Sequence, residues 1–343
     1  MIRLRIEASP RERERESKRW SWHSYDHIIS VGNLLQAWRE FLRGKRRRQD
    51  VQLFSLHLTD NILALHRELT HKNYCHGSYQ AFNINDPKPR SIHKASVRDR
   101  LIHHAVYRIL YPYFNQKFIY DSYSCRLNKG THRAINRLRI FGRKISQNNT
   151  RTVWVLKGDI RKFFASIDHQ ILINILKKHE PDPDIIWLLE QVIGSFYTAR
   201  QGLGLPLGNL TSQLLVNIYM NEFDHFVKRK LKEKFYIRYA DDFVILGDNR
   251  KDLLELIPKL SSFLLEHLKL TLHPNKVFIK TLASGVDFLG WTNFPHHRVL
   301  RFTTRRRVLR KIKKSKMTTA TIASYKGLLI HGNTYKLRNL FKQ

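Results

Sequence analysis

Two adjacent carboxylates, Asp241 and Asp242, stand between apolar, β-prone runs: Phe235-Tyr236-Ile237 before and Phe243-Val244-Ile245-Leu246 after. Side chains alternate faces along a strand, so consecutive aspartates suit the tip of a β-hairpin, where a turn can aim both at one ion. A further aspartate, Asp159, follows the short apolar run Val153-Trp154-Val155-Leu156, the pattern of a strand covered on both faces. Three carboxylates at two neighbouring strand ends form a minimal cage for two magnesium ions, which want hard oxygen ligands. In such a site one ion lowers the pKa of an attacking hydroxyl and the other stabilises the leaving oxygens. Taken alone, Asp241-Asp242 could be an ordinary turn; Asp159 and the Gly-rich segment between them strengthen the metal reading.

The chain as a whole is strongly basic, with 62 Lys and Arg against 28 Asp and Glu and a formal charge of +34. Self-repulsion on this scale opposes compactness unless phosphates neutralise it, so the expected partner is a polyanion held in a salt-dependent way. Basic residues spread along the chain and are not gathered in one amphipathic segment, which speaks against a membrane-surface role. No apolar run approaches the roughly 18 residues of a membrane span, and the N-terminus lacks a signal peptide's apolar stretch. An intracellular, cytoplasmic protein without a membrane partner is expected. Cys75 and Cys125 are too few for a disulfide framework or a four-Cys zinc site, and the adjacent pairs His103-His104 and His296-His297 are not spaced like a helical metal motif.

At 343 residues and 42% hydrophobic, the chain can bury a sizeable core in two or three subdomains. Residues 8–20 alternate charge and read as a solvated arm. Helical spacing from Asn33 to Leu69, broken by Lys45-Arg46-Arg47-Arg48, predicts two helices joined by a basic turn. Asp86-Pro87-Lys88-Pro89-Arg90 punctuates two short extended runs, and a helix is expected from Asp99 until Pro112. Helices are predicted at 169–180, at 183–197, from Ser212 to Val227, and from Lys251 to Leu268 with Leu253, Leu254, Ile257, Leu260, Phe263 and Leu264 as its apolar positions. Strands with interposed helices make an α+β fold.

Tyr239-Ala240-Asp241-Asp242, the stretch Lys157-Gly158-Asp159-Ile160-Arg161-Lys162-Phe163-Phe164 and the later Phe288-Leu289-Gly290-Trp291 resemble, in order and spacing, the palm motifs of reverse transcriptases over roughly residues 30 to 343. The resemblance implies a right-hand polymerase architecture with an antiparallel palm sheet: an N-terminal arm at 1–30, fingers at 31–150, palm at 151–292 with shared helices at 169–227, and thumb at 293–343. It also implies RNA-directed DNA synthesis with two Mg2+ ions, Mn2+ as a substitute, and dNTPs, template RNA and the RNA/cDNA duplex as partners.

Within that family, Leu207-Gly208-Asn209-Leu210-Thr211-Ser212-Gln213 departs from the usual pattern of retroviral and group II intron enzymes, with Leu207 at a Gln position and Gln213 at a Pro position. The segment is similar to the reverse transcriptases of diversity-generating retroelements, as are Arg98–Ala105, Tyr123–His132 and Ser324–Leu329. That likeness implies an enzyme that errs opposite adenine, encoded by a bacterium or its phage, with a small basic oligomeric accessory variability protein as partner. Alternatives are a retron, phage-defence or group II intron-like reverse transcriptase, or a basic RNA-binding scaffold. The chain's end soon after the thumb speaks against the intron reading.

The resemblance gives residues their roles. Asp159, Asp241 and the main-chain carbonyl of Ile160 hold the metals, with Asp242 more peripheral. Phe164 is a steric gate against a ribose 2′-hydroxyl. Arg126 grips the triphosphate, suited by its planar fork, and Lys276 neutralises charge or protonates pyrophosphate. Leu207, Gly208 and Gln213 lie by the nascent pair, where an apolar Leu207 gives up the polar contact of a Gln and weakens discrimination. Leu289, Gly290 and Trp291 grip the primer. Arg305 and Arg306 belong to a basic thumb helix that follows the duplex backbone without reading sequence.

Overall fold

The computed structural model describes residues 24–85, 89–313 and 318–340. Most of the charged arm, the centre of the 86–90 turn, and Lys314 and Lys316 of the basic tail lie outside the described residues.

The chain forms two compact units that interleave in sequence. One takes the chain up to Phe118 and then Lys162–Asn221; the other takes Ile119–Arg161 and everything from Glu222 onward. These units cut across the expected boundaries at 150 and 292. Residues 119–150 join the late chain because the strand that follows them is an inner strand of its sheet. Residues 162–221 join the N-terminal helices, as where Tyr25 packs edge-on against Trp187 at 6.2 Å and its N–H donates to Asp182 at 3.0 Å.

The first unit opens with α1 (Tyr25–Ile29), α2 (Val31–Phe41), α3 (Gln49–Leu56) and α4 (Leu58–Thr70). Ser24 and Ser30 cap α1 and α2 through hydroxyls that accept the N–H of His27 and of Asn33. The second of the two predicted helices is thus divided: His57 leaves the helical region, and α3 buries only Val51 while Leu53 and Leu56 stay exposed. An antiparallel pair follows, β1 (Gln80–Ile84) with β2 (Arg90–Lys94), and then α5 (Val97–Lys117). The predicted stop at Pro112 is overridden. Leu110, Tyr111 and Phe114 are buried on both sides of the proline, and that packing outweighs one missing backbone hydrogen bond. After a 3₁₀ turn at Phe163–Ser166 come α7 (His169–His179) and α8 (Pro183–Gly194), while α6 (Thr131–Ile145) belongs to the second unit. Helix α9 (Leu210–His225) runs on into a π-helical turn, Phe226–Lys230.

The second unit is built on an antiparallel four-stranded sheet in the order β4 (Tyr236–Tyr239), β5 (Asp242–Gly247), β3 (Trp154–Asp159), β6 (Phe278–Thr281). One face, with Val155, Ile237, Val244 and Leu246, packs on Leu138 and Phe141 of α6. On the other face lie Tyr236 and Phe243, the latter's ring 5.4 Å from that of Phe223, and α10 (Arg250–Leu268) packs against β3 and β5. Helix α10 buries Leu253, Leu256, Leu260, Leu264 and Leu268, so the predicted apolar Leu254 points out instead. A second sheet, β7 (Val286–Phe288), β8 (Trp291–Asn293) and β9 (Arg298–Leu300), leads to α11 (Phe302–Lys313), α12 (Thr319–Leu329) and α13 (Tyr335–Asn339) around a cluster of Trp291, Leu300, Val308, Leu329 and Leu337.

Candidate active site

The register of β3 against β5 sets Asp159 directly opposite Asp242. Opposed residues of an antiparallel pair share a face, so both carboxylates stand on the same side of the sheet. Asp241 occupies the two-residue turn between Tyr239 and Asp242, after Ala240 at a φ of 54°. Its carbonyl accepts the Ile160 N–H at 3.2 Å, which ties the turn to the residue after Asp159. The sheet therefore brings Asp159, Ile160, Asp241 and Asp242 together.

The electrostatics follow from crowding like charges on one sheet end. Burial, then Asp242, then Asp159 push the Asp241 carboxyl up to about 6. Two lysines supply counter-charge. Lys276 Nζ donates to Asp159 Oδ1 at 2.8 Å, and Lys157, a diagonal neighbour, brings its Nζ to 3.2 Å from Asp242 Oδ1. That oxygen is buried, yet it has no hydrogen bond of good geometry. Among the described residues no three His, Cys, Asp or Glu side chains close into a ready metal cage. The donor set nonetheless fits a hard divalent cation: three carboxylates, one with a buried oxygen that lacks a well-formed hydrogen bond and one resisting ionisation, gain most from added positive charge.

Arg126 lies in the second unit with Nη1 donating to the carbonyls of Ile119 (2.7 Å) and Ser122 (3.0 Å) and to the Ser122 hydroxyl (2.7 Å). Leu289 and Gly290, at φ 52° and 85°, form the tight turn of the β7–β8 hairpin. Trp291 is 1% exposed and packs in the core, whereas Leu289 and Gly290 of the turn before it are half-buried. Arg305 and Arg306 are exposed on α11, which buries Val308.

Four candidates lie in the first unit. Phe164 is half-buried on the 3₁₀ turn, edge-on to Phe163 at 5.5 Å. Leu207 accepts the His93 N–H through its carbonyl at 3.0 Å, which joins the Gly-rich segment to β2. Gly208 has a φ of 109°, and a Cβ there would stand 2.8 Å from Ile92, so both conformation and space require glycine. Gln213 is half-buried on the first turns of α9.

Three residues were not expected at the site: Lys157, Arg238 and Asp224. The signal was present for two of them, a lysine and an arginine at core positions of otherwise apolar strands. Arg238 is buried in a bidentate pair with Asp224, Nε to Oδ1 at 2.7 Å and Nη2 to Oδ2 at 2.6 Å. No helix among the described residues is long and apolar enough to cross a membrane.

Comparison with known proteins agrees with this geometry. Residues 84–293 match the family model described as reverse transcriptase (RNA-dependent DNA polymerase). Protein YkfC of Escherichia coli K12 is 27% identical over 289 residues, 71% of this chain and 73% of that protein. The group II intron-encoded protein LtrA of Lactococcus lactis is 24% identical over 276 residues, 60% of this chain but 45% of its own length. Among solved structures, apo telomerase from Candida tropicalis, truncated from its C-terminal domain, superposes with a TM-score of 0.51 at 12% identity, over 71% of this chain and 60% of the telomerase chain. The chain thus spans less than two thirds of that structure and of the intron protein. The structural likeness shows the fold, an α+β right-hand polymerase with an antiparallel palm sheet.

Proposed function

Because the chain belongs to the reverse transcriptase (RNA-dependent DNA polymerase) family, we propose that it copies a template RNA into cDNA from dNTPs at the sheet end carrying Asp159, Asp241 and Asp242. The observation that carries this reading is the β3–β5 register that opposes Asp159 and Asp242 beside the Asp241 turn. Two magnesium ions held there, with manganese as a substitute, would activate the primer hydroxyl and neutralise charge on the leaving pyrophosphate. The protein's own part is to present ionised oxygens, Asp159 and Asp241 foremost and Asp242 at the edge, with the Ile160 carbonyl adjoining. Lys276, paired with Asp159 in the metal-free protein, turns to the triphosphate once the cations take its place at the carboxylate. Arg126 supplies a second cation, Phe164 restricts the sugar, and the exposed Arg305 and Arg306 hold the duplex by its phosphates.

The segment at 207–213 bears on the enzyme type. An apolar Leu207 cannot make the polar contact of a Gln, so a mispair is rejected less strongly. This supports an adenine-mutating enzyme of the diversity-generating kind, working in a bacterial cytoplasm with a small basic accessory protein. A group II intron-like enzyme is the second reading, favoured by the likeness to LtrA.

Magnesium-dependent extension of a primed RNA template tests the activity, with Asp241→Ala as control. An inert wild-type protein, or an unimpaired control, refutes it. Sequencing the cDNA separates the two types. Errors concentrated opposite adenine and reduced several-fold by Leu207→Gln support the mutagenic reading, whereas even fidelity in both proteins supports the intron-like one.

A further inference from the structure

The turn that carries Asp241 is closed by the Tyr239–Asp242 pair of its hairpin, yet its backbone is not relaxed. Ala240 holds a left-handed conformation, φ 54°, which a Cβ disfavours. Glycine would take it freely, and here an alanine stands instead. The strain must be held by contacts, and those contacts can be traced.

On the sheet face opposite Asp159 and Asp242, the Arg238 side chain is 1% exposed and that of its partner Asp224 is fully buried. Asp224 engages Nε and Nη2, and the Tyr236 hydroxyl donates to its Oδ1 at 2.7 Å, so the carboxylate is locked from two sides. The remaining arm of the guanidinium, Nη1, donates to the Ala240 carbonyl at 3.2 Å. That carbonyl belongs to the peptide leading into Asp241, and the peptide leaving Asp241 is held by the Ile160 N–H. Both peptide planes flanking Asp241 are therefore fixed, one by Arg238 and one by the strand of Asp159. The backbone of Arg238 is also held, its N–H donating to Asp121 and its carbonyl accepting from Tyr123.

A buried ion pair is weak evidence for stability, because desolvation offsets much of its attraction. Its geometry here serves something else. We propose that Arg238, locked by Asp224 and Tyr236, is a positioning residue that holds the strained Ala240 turn so that the Asp241 carboxylate points where a divalent cation can be shared with Asp159. The inference rests on the reading of Asp241 as a metal-holding residue.

Lysine keeps the charge at position 238, but it has no fork to span both Asp224 oxygens and the Ala240 carbonyl. For Arg238→Lys the expected result is a fall of about tenfold in kcat for primer extension, an activation difference of about 1.4 kcal/mol. KM for dNTP should stay within about twofold, and Mn2+ affinity, read by electron paramagnetic resonance on the nucleotide-free protein, should weaken several-fold. Adding Ala240→Gly should recover most of both losses, because glycine adopts the turn without a brace. A purely structural role would not be rescued there. Wild-type kcat and Mn2+ affinity in Arg238→Lys, or no recovery with Ala240→Gly, overturns the proposal. Should Arg238→Lys fail to fold, Tyr236→Phe with and without Ala240→Gly makes the same comparison. If the wild-type protein proves inert on primed RNA, the polymerase reading falls separately, and the Mn2+ measurements still decide the brace.

Discussion

Lys276 is the perturbation whose size is easiest to work out. Its ammonium stands 2.8 Å from Asp159 Oδ1, with the lysine side chain 45% and the aspartate side chain 10% exposed. At that distance two unit charges attract by about 1.5 kcal/mol in bulk water and about 6 kcal/mol at an effective dielectric of about 20. A half-exposed ammonium is well screened, so the lower part of that range applies, and ~1.4 kcal/mol is a reasonable working figure. A divalent cation drawn to the same carboxylates must compete with this charge. Lys276→Met should therefore bind Mn2+ about tenfold more tightly in the absence of nucleotide, since each 1.4 kcal/mol is a factor of ten. The assay is a Mn2+ titration followed by electron paramagnetic resonance at low ionic strength, and the difference should shrink as salt rises. Without dNTP, any separate role of the lysine at the triphosphate leaves the result untouched. Unchanged or weaker binding in Lys276→Met would refute the claim that the lysine occupies the cation's place.

Gly158 lies directly opposite Phe243 in the β3–β5 register, and a Cβ there would run into the phenylalanine ring. Phe243 is 1% exposed and cannot withdraw, so Gly158→Ala should cost ~1–3 kcal/mol by overpacking, read as a lower Tm, and Phe243→Leu should restore part of it; an unchanged Tm would contradict the packing. Glu180 closes α7, and burial, reinforced by Asp182 and opposed by a hydrogen bond from its N–H, raises the carboxyl to about 7 from an ordinary 4.5. The unfolded chain then gives up its proton first, so stability falls as pH rises from 4.5 to 7 and levels off above, by at most ~3 kcal/mol. Glu180→Gln should match the wild type near pH 4.5 and melt higher at pH 8, and parallel Tm curves for the two proteins would remove the cause.

The sheet end was the most legible part of the chain. Tyr239-Ala240-Asp241-Asp242 between apolar runs, and Asp159 after Val153–Leu156, announced strand ends because period-two burial leaves consecutive aspartates nowhere else to go. The cross-strand register itself could not be read, since it is set by pairing between distant segments. Helix boundaries suffered where packing outvoted local preference: Pro112 stayed helical because residues on both sides of it are buried, and His57 divided a helix whose weak apolar stripe could not hold it together. The two units were hidden for a topological reason, since β3 enters a sheet otherwise made from the late chain. Trp291 shows how a motif and its packing can be read apart: the resemblance assigns Leu289, Gly290 and Trp291 to a primer grip, while the aromatic ring itself fills the core around Val308 and Leu329, and Leu289 and Gly290 form the turn. Arg238 carries a signal, a charged residue inside the apolar strand Tyr236–Tyr239, but among 62 basic residues that signal stands out only once its burial is known.

The central claim is that the sheet end of Asp159, Asp241 and Asp242 holds the divalent cations of polymerisation. Anomalous diffraction from crystals of the protein with Mn2+, a primed RNA template and a non-reactive dNTP analogue tests it most directly. The account expects manganese peaks bridging the carboxylates of Asp159 and Asp241, with Lys276 displaced from its 2.8 Å contact. Manganese bound elsewhere, with the Lys276–Asp159 pair intact in the presence of nucleotide, would contradict it.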